Sequence, residues 1–347
     1  MATFLARRIG AMILTALCLT FVVFFLTNLP PNLEKLAKSE GNVRMSDAQV
    51  ESWLDKNGFN QPLISRYGQW LGVVPYRHPE PDSGASVRCR AAGAEQDPPT
   101  FCGVLQGYWG YSTVFKETAG GIIGTRLAAT GVLMFWVMVV MVPAALVLGV
   151  LAGMREGSRT DRTLSTFAIA TTATPEYVSG VVMIVVFASS VVGLKWFKGT
   201  ATSAIDSGVT FENFTLPVMT MALYGMGYIA RMTRASMAEV MTAQYIRTAR
   251  LKGVTFRNVV MKHALRNALI APFTVIMLQF PWLLTGVVIV ETLFNYKGFG
   301  WLLVQAAGNN DIDMLLGCSV VAVFVVLVTQ LISDIGYVFL NPRIRVK

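Results

Sequence analysis

Six stretches of the chain are nearly free of charge, at residues 9–29, 127–153, 164–194, 213–230, 267–290 and 314–333. A bilayer crossing takes about 20 apolar residues at 1.5 Å of rise each, so this pattern predicts six transmembrane helices. The third run exceeds one crossing and carries Pro175 and Glu176 near its middle, which predicts tilt or a kink there. The fourth is the least secure, because it is short and contains Asn213, Pro217 and two glycines. Between the first two runs lies the one sizeable extramembrane segment, about 30–126. In it 46–57 predicts a helix capped through Ser46-Asp47-Ala48-Gln49, and 74–99 is rich in Pro, Gly, Ser and Arg and predicts irregular structure. The polar segment 231–270 keeps Met237, Val240, Met241, Ile246, Leu251 and Val254 at helical spacings, which predicts short helices lying against a membrane face.

Composition agrees. Hydrophobic residues make up 54% and charged ones 14%, against about 25% charged in a typical soluble domain. The net charge of +9 is a topology signal. Residues 154–163 and 231–266 carry Arg155, Arg159, Arg162, Arg231, Arg234, Arg247, Arg250, Lys252, Arg257, Lys262 and Arg266, while the short loops on the other side carry only Lys195, Lys198 and Lys297. With Arg7 and Arg8 before the first run, the bias places both termini and the basic loops in the cytoplasm. The 30–126 segment is then extracytoplasmic, and its ten basic residues lie in a loop too long for the rule. Nucleic acid is not an expected partner, since no basic face on a soluble domain is in view. Met1–Arg8 with the apolar run after it resembles a signal peptide, but no small-x-small site follows, and it reads as a retained first helix.

Candidate chemistry is sparse. Two histidines lie in segments on opposite sides of the membrane, and the chain has no Gly-x-x-x-x-Gly-Lys-Ser/Thr loop, no His-Glu-x-x-His and no Gly-x-Ser-x-Gly. The expectation is no catalytic residue, no metal and no cofactor in this chain. His263 reads as a packing residue. Cys18 and Cys318 fall within spans. Cys89 and Cys102 share the outer loop, where an oxidising compartment permits a disulfide, although free thiols remain open; zinc is disfavoured with only His78 nearby. Glu176 either lines a translocation path or pairs with a neighbouring helix or water near Pro175. Glu291, at the outer end of the fifth run, either joins an outer gate or is an ordinary interfacial acid.

The most informative stretch runs Tyr245-Ile246-Arg247-Thr248-Ala249-Arg250-Leu251-Lys252-Gly253 and continues from Arg257 through Asn267 to Pro272. It resembles the cytoplasmic coupling loop of ABC import permeases, in the form found in the dipeptide, oligopeptide and nickel permease family. Arg247 and Thr248 stand where the general motif has Glu and Ala, a replacement common in that family. Gly107-Tyr108-Trp109-Gly110-Tyr111-Ser112, Thr174-Pro175-Glu176, the run from Glu291 to Gly300, and Asn341-Pro342-Arg343-Ile344-Arg345 resemble its other signatures, in order and along nearly the whole chain. The insertion within 30–106 departs from the family pattern.

The resemblance implies the first-type permease chain of a type I ABC importer: an all-α membrane protein of six spans, in a bacterial inner membrane, organised as 1–29 (tail and first helix), 30–126 (outer loop), 127–340 (permease core with coupling loop 231–270) and 341–347 (tail). It implies a second homologous permease, two ATPase subunits carrying ATP and Mg, an extracytoplasmic solute-binding protein, and import of peptides or a similar small polar solute. It implies docking of the 242–253 helix on the ATPases through Tyr245, Arg247, Thr248, Ala249, Arg250, Lys252 and Gly253, with the small Thr248, Ala249 and Gly253 letting the helix seat closely. An ion-coupled secondary transporter or channel without ATPase partners is the rival reading. It calls for buried ionisable groups in several spans, and the runs offer only Glu176 and Asp334. An intramembrane enzyme lacks its nucleophile and metal constellations.

Overall fold

In a computed structural model of the protein the described residues are 2–76, 89, 99–190 and 194–340. The tail 341–347 with its Asn-Pro-Arg signature, His78, and most of the irregular 74–99 segment lie outside them. Among the described residues the regular structure is helical, and the β pairing is an isolated bridge between Tyr111 and Thr118. Three helices are long and apolar enough to cross a membrane, over Ala6–Thr27, Ala119–Gly153 and Ile312–Gly336, and up to five spans result if each of two bent helix pairs counts as one.

The chain divides into two compact units. One comprises Leu5–Leu127 and Leu302–Val325. It contains α1 (Ala2–Thr27) from Leu5 onward, α2 (Pro30–Glu40), α3 (Asp47–Lys56), α4 (Leu63–Leu71) and the start of α15 (Ile312–Leu340). Phe24, Leu33, Leu36, Trp70, Ile312 and Leu316 form its core. At the N-terminus of α3 the Gln49 side chain accepts from the Ser46 backbone N–H at 2.9 Å, half of the capping box that the sequence predicts. The Gly-rich aromatic signature closes on the N-terminus of α15: Ser112 donates to Asp311 Oδ2 at 2.5 Å, and the Tyr111 N–H to Asp313 Oδ2 at 3.3 Å. Gly110 has φ +87°, and a Cβ there would lie 2.6 Å from the Asp313 side chain, so glycine is required twice over. Cys89 and Cys102 are joined, with Cα atoms 6.1 Å apart.

The other unit comprises Met1–Phe4, Ala128–Trp301 and Val326–Lys347. Its helices are α5 (Ala119–Gly153, from Ala128), α6 (Arg159–Ala173), α7 (Glu176–Phe187), the short α8 (Ser203–Asp206), α9 (Phe211–Thr242), α10 (Gln244–Leu251), α11 (Phe256–Asn258), a π-helical turn Val259–Ala264, α12 (Leu265–Ala268), α13 (Ile270–Leu293), the first turn of α14 (Phe299–Gly308) and the end of α15 (Ile312–Leu340). The hub is α9, which packs against α6, α7 and α13. Its glycines set the approach: a Cβ on Gly227 would lie 2.4 Å from the Ala168 carbonyl oxygen of α6, and one on Gly225 2.2 Å from Met141 Sδ of α5. Small residues let membrane helices touch in this way.

One expectation is sharpened and one changes. The third run bends at Pro175, where the sequence predicts it, and α6 and α7 meet at 106°, because Pro175 lacks an N–H and disfavours a helical Thr174. The 12 residues of α7 span about 18 Å, short of the roughly 30 Å hydrocarbon layer when taken alone. The segment 231–242 is not a separate surface helix; it continues α9 without a break, since no Gly or Pro interrupts it.

Candidate functional site

The basic segment after α9 folds into four short pieces around one small apolar cluster. Met237 of α9, Ile246 and Ala249 of α10, Val259, Val260 and Ala264 of the π-helical turn, and Ala268 of α12 form the buried centre. Burial of Ile246 contributes on the order of 2 kcal/mol. Hydrogen bonds brace the cluster: Ser236 donates to the Ala268 carbonyl at 2.8 Å, and the Asn267 amide to Tyr245 Oη at 3.1 Å. A π turn of this kind costs regularity and occurs often at functional sites.

With Ile246 and Ala249 turned inward, α10 shows its other side to solvent. Tyr245, Arg247, Thr248, Arg250, Lys252 and Gly253 are all exposed. The grouping expected from the sequence is thus corrected at Ala249, which is only 8% exposed: the helical period that places Ile246 inward carries the residue three positions on with it. Leu251, which the sequence pattern groups with the apolar positions of this segment, instead stands 81% exposed at the end of α10. Phe256 follows five positions on, with the guanidinium groups of Arg155 and Arg250 over its ring at 5.4 and 5.9 Å. A signal for Leu251 was present, an apolar residue between two cations, but its direction depends on which face the cluster claims. Gly253 ends the helix at φ +77° with open space around it, as a helix-ending glycine does. His263 is exposed rather than packed, because the π turn points Val259, Val260 and Ala264 inward instead.

A missed feature holds this region to the rest of its unit. Asp161, in the first turn of α6, is 2% exposed and receives two hydrogen bonds from Arg234 of α9, from Nε at 2.5 Å and Nη2 at 2.8 Å. The Gly157 N–H and the Ser165 hydroxyl add bonds at 2.8 and 3.0 Å. The Arg234 guanidinium, ahead of these backbone and hydroxyl donors, holds the Asp161 carboxyl well below the usual carboxylate range. With 73 residues between the partners, no local pattern announces this pair.

The two acids singled out from the sequence have different surroundings. Glu291 is fully buried, not an interfacial acid. Thr130 of α5 donates to its Oε1 at 2.5 Å and the Trp301 N–H to its Oε2 at 3.0 Å, and a Cβ on Gly298 would collide with it at 2.1 Å. It clasps the turn 294–301 to α5. Glu176 is the first residue of α7, half-buried, where the helix dipole favours a carboxylate. The first unit holds a cavity of about 940 Å³ lined partly by Glu40, Asp311, Asp313, Trp53, Trp70 and Tyr111. Burial first, then the charges of Asp313 and Asp311, pushes the Glu40 carboxyl up. Among the described residues no His, Cys, Asp and Glu side chains gather as a metal site.

Comparison with known proteins places this arrangement. Residues 145–346 match the family model of the binding-protein-dependent transport system inner membrane component. The chain is 28% identical over 350 residues to the oligopeptide transport system permease protein AppB of Bacillus subtilis, covering 99% of this chain and all of that one. It is 28% identical over 335 residues, 95% of each chain, to a Brucella ovis protein named as a peptide permease. A Brucella abortus protein named as a peptide transport system permease is 32% identical over 258 residues, covering 72% of this chain and 81% of its own. The matched region contains α10 and the cluster beneath it, and the chain belongs to the family of binding-protein-dependent transport system inner membrane components, the permease chains of ABC importers, whose ATP hydrolysis takes place on separate subunits.

Proposed function

We propose that this chain pairs with a second permease to form the pathway for peptides or a similar small polar solute, and that α10 docks on an ATPase subunit. The observation that carries the docking is the division of α10: Ile246 and Ala249 are spent on anchoring, leaving Tyr245, Arg247, Thr248, Leu251 and Lys252 on an open face. An apolar tip ringed by cations suits a groove with an acidic rim. The peptide assignment rests on the names of the relatives. A solute-binding protein delivers the solute to the outer side, two ATPase chains close on ATP, and closure pushes α10 and, through the shared cluster, α9, switching the bundle between inward-open and outward-open states.

Six spans fit this function. α1, α5, the α6–α7 pair, α9, α13 and α15 supply them, with both termini cytoplasmic by the charge bias. α9 qualifies by length, 32 residues. Its polar and small residues face neighbouring helices, where lipid makes no demand for hydropathy. The loop 30–126 then faces the oxidising side, where Cys89 and Cys102 pair; two thiols open to alkylation without reductant would remove that pairing. Glu176 lines the path, and Glu291 shapes its outer end through the turn that it clasps.

Proteoliposomes test the whole. Uptake of a peptide probe requires this chain, its permease partner, the ATPases and ATP together. Solute uptake by this chain in the absence of any nucleotide-binding subunit overturns the proposal.

A further inference from the structure

Where α7, α9 and α13 meet, a carboxylate stands beside a two-ring aromatic stack. A Cβ placed on Gly286 of α13 would lie 3.1 Å from Glu176 Oε1 and 3.6 and 3.7 Å from Cζ2 and Cη2 of the Trp282 indole. The carboxylate and the ring edge therefore both lie against the bare backbone of Gly286, which lets α13 come close to Glu176. Tyr224 of α9 stacks on Trp282, with ring centroids 4.8 Å apart and planes within 14°. Both rings are only half-buried, so the stack is not consumed by packing.

Among the described residues the Glu176 carboxylate bonds only to its own backbone N–H, and no side chain pairs with it. An acid inside a membrane bundle ordinarily pairs or faces a pathway. A carboxylate left without a counter-ion, beside two half-buried stacked rings, is a site built for something that arrives.

We propose that Glu176, Trp282 and Tyr224 form a subsite for a primary ammonium group, the free amino end of the passing solute. The carboxylate supplies the counter-charge, and the ring faces attract a cation. This deepens the pathway reading and rests on it. A strongly hydrated metal ion fits poorly, since a single carboxylate falls short of the six or more oxygens that hard cations take.

The test uses the complete transporter in proteoliposomes, with tri-alanine and N-acetyl-tri-alanine as probes, each over a range of concentrations with the same binding protein. Glu176→Gln lowers the ratio of tri-alanine to N-acetyl-tri-alanine uptake about tenfold or more relative to wild type, through KM, and Glu176→Asp restores part of it. Trp282→Leu lowers the ratio less, and Trp282→Tyr keeps it. If Glu176→Gln reduces uptake of both probes equally, or Glu176→Asp gives no recovery, the subsite is rejected while the permease reading stands. A wild-type transporter that imports neither peptide overturns the peptide reading, and the ammonium subsite with it. Protein amount in the membrane, measured for each variant, separates loss of recognition from loss of folded chain.

Discussion

Helices α9 and α10 are neighbours in sequence, divided only by Ala243, and they use their side chains in opposite ways. Sixteen of the 32 residues of α9 are buried, while α10 buries two of eight. The membrane-crossing windows of α1, α5 and α15 bury only 11, 22 and 17% of their residues within the molecule, so α9 stands apart from them too. A helix that faces lipid needs an apolar skin, one that faces other helices needs small residues and good fit, and one that faces a partner protein needs an anchored inner side with a free outer one. One chain carries all three, and stability should respond to mutation accordingly.

The largest effect is expected in the hub. Gly227→Leu forces side-chain carbon into the Ala168 carbonyl and the Thr171 and Thr172 hydroxyls, which lie within 2.4 to 2.5 Å of the first added atom. Overpacking of this kind costs about 3 kcal/mol or more, and the variant should show a sharply lowered thermal midpoint in detergent and reduced protein in the membrane. Gly10→Ala, in α1 where nothing lies within 4 Å, should leave the midpoint unchanged or slightly raised, alanine being the better helix former. Equal midpoints for the two variants would remove the distinction between hub and skin.

Next comes the inner side of α10. Ile246→Ala empties a fully buried position and should cost about 2 to 3 kcal/mol, the lower part of the range for such truncations, because a short peripheral helix can settle inward. The comparison sharpens if Arg247→Ala, on the open side of the same turn, leaves the stability within about 0.5 kcal/mol of wild type.

The ion pair that fixes α9 to α6 ranks third. Asp161→Asn leaves Arg234 with a weakened acceptor and should cost about 2 kcal/mol, within the span for hydrogen bonds to charged groups; Arg234 is 30% exposed, which keeps the loss below that of a fully buried pair. The sign with pH follows from the depressed carboxyl of Asp161. A carboxyl held lower in the folded state than in the unfolded one stabilises fully above its ordinary value near 3.8, and the contribution fades as pH falls from there through the folded value. The difference in midpoint between wild type and Asp161→Asn should therefore be constant from about pH 8 to 5 and shrink only in stronger acid. A difference that already closes between about pH 7 and 6 would show that the pair is not the source.

What could be read from the sequence follows the same division. The apolar skin was legible: α1, α5 and α15 announce themselves as uninterrupted runs. The hub was legible only as a weak run, because Thr220, Gly225 and Gly227 lower its hydropathy for the sake of contacts with α7, α5 and α6, and those contacts are between residues far apart in the chain. Pro175 marked a bend, but not that α6 and α7 turn through 106°. In α10 the motif identified the segment, while the inward turn of Ala249 and the outward turn of Leu251 depend on a cluster completed by Val259, Val260 and Ala264. Asp161 with Arg234, Glu291 with Thr130, and Trp282 with Tyr224 were invisible for one shared reason, the 73, 161 and 58 residues that separate the partners.

A smaller effect on stability than at these three sites, and the largest separation of stability from function, is expected at the exposed end of α10. Gly253 has φ +77°, and a Cβ added there would meet no atom within 4 Å, so Gly253→Trp meets only the cost of a left-handed backbone, about 1 kcal/mol, and leaves the chain folded in the membrane. The indole nevertheless stands on the face proposed to seat on the ATPase, beside Leu251, where a bulky ring prevents close approach. In reconstituted transporter the variant should lose transport while the ATPase subunits still turn over, and Gly253→Asn, which accepts the same backbone conformation with a small polar side chain, should retain both activities. Wild-type transport by Gly253→Trp would show that this face is not the docking surface, and the contrast between a consumed α9 and a reserved α10 would lose its functional meaning.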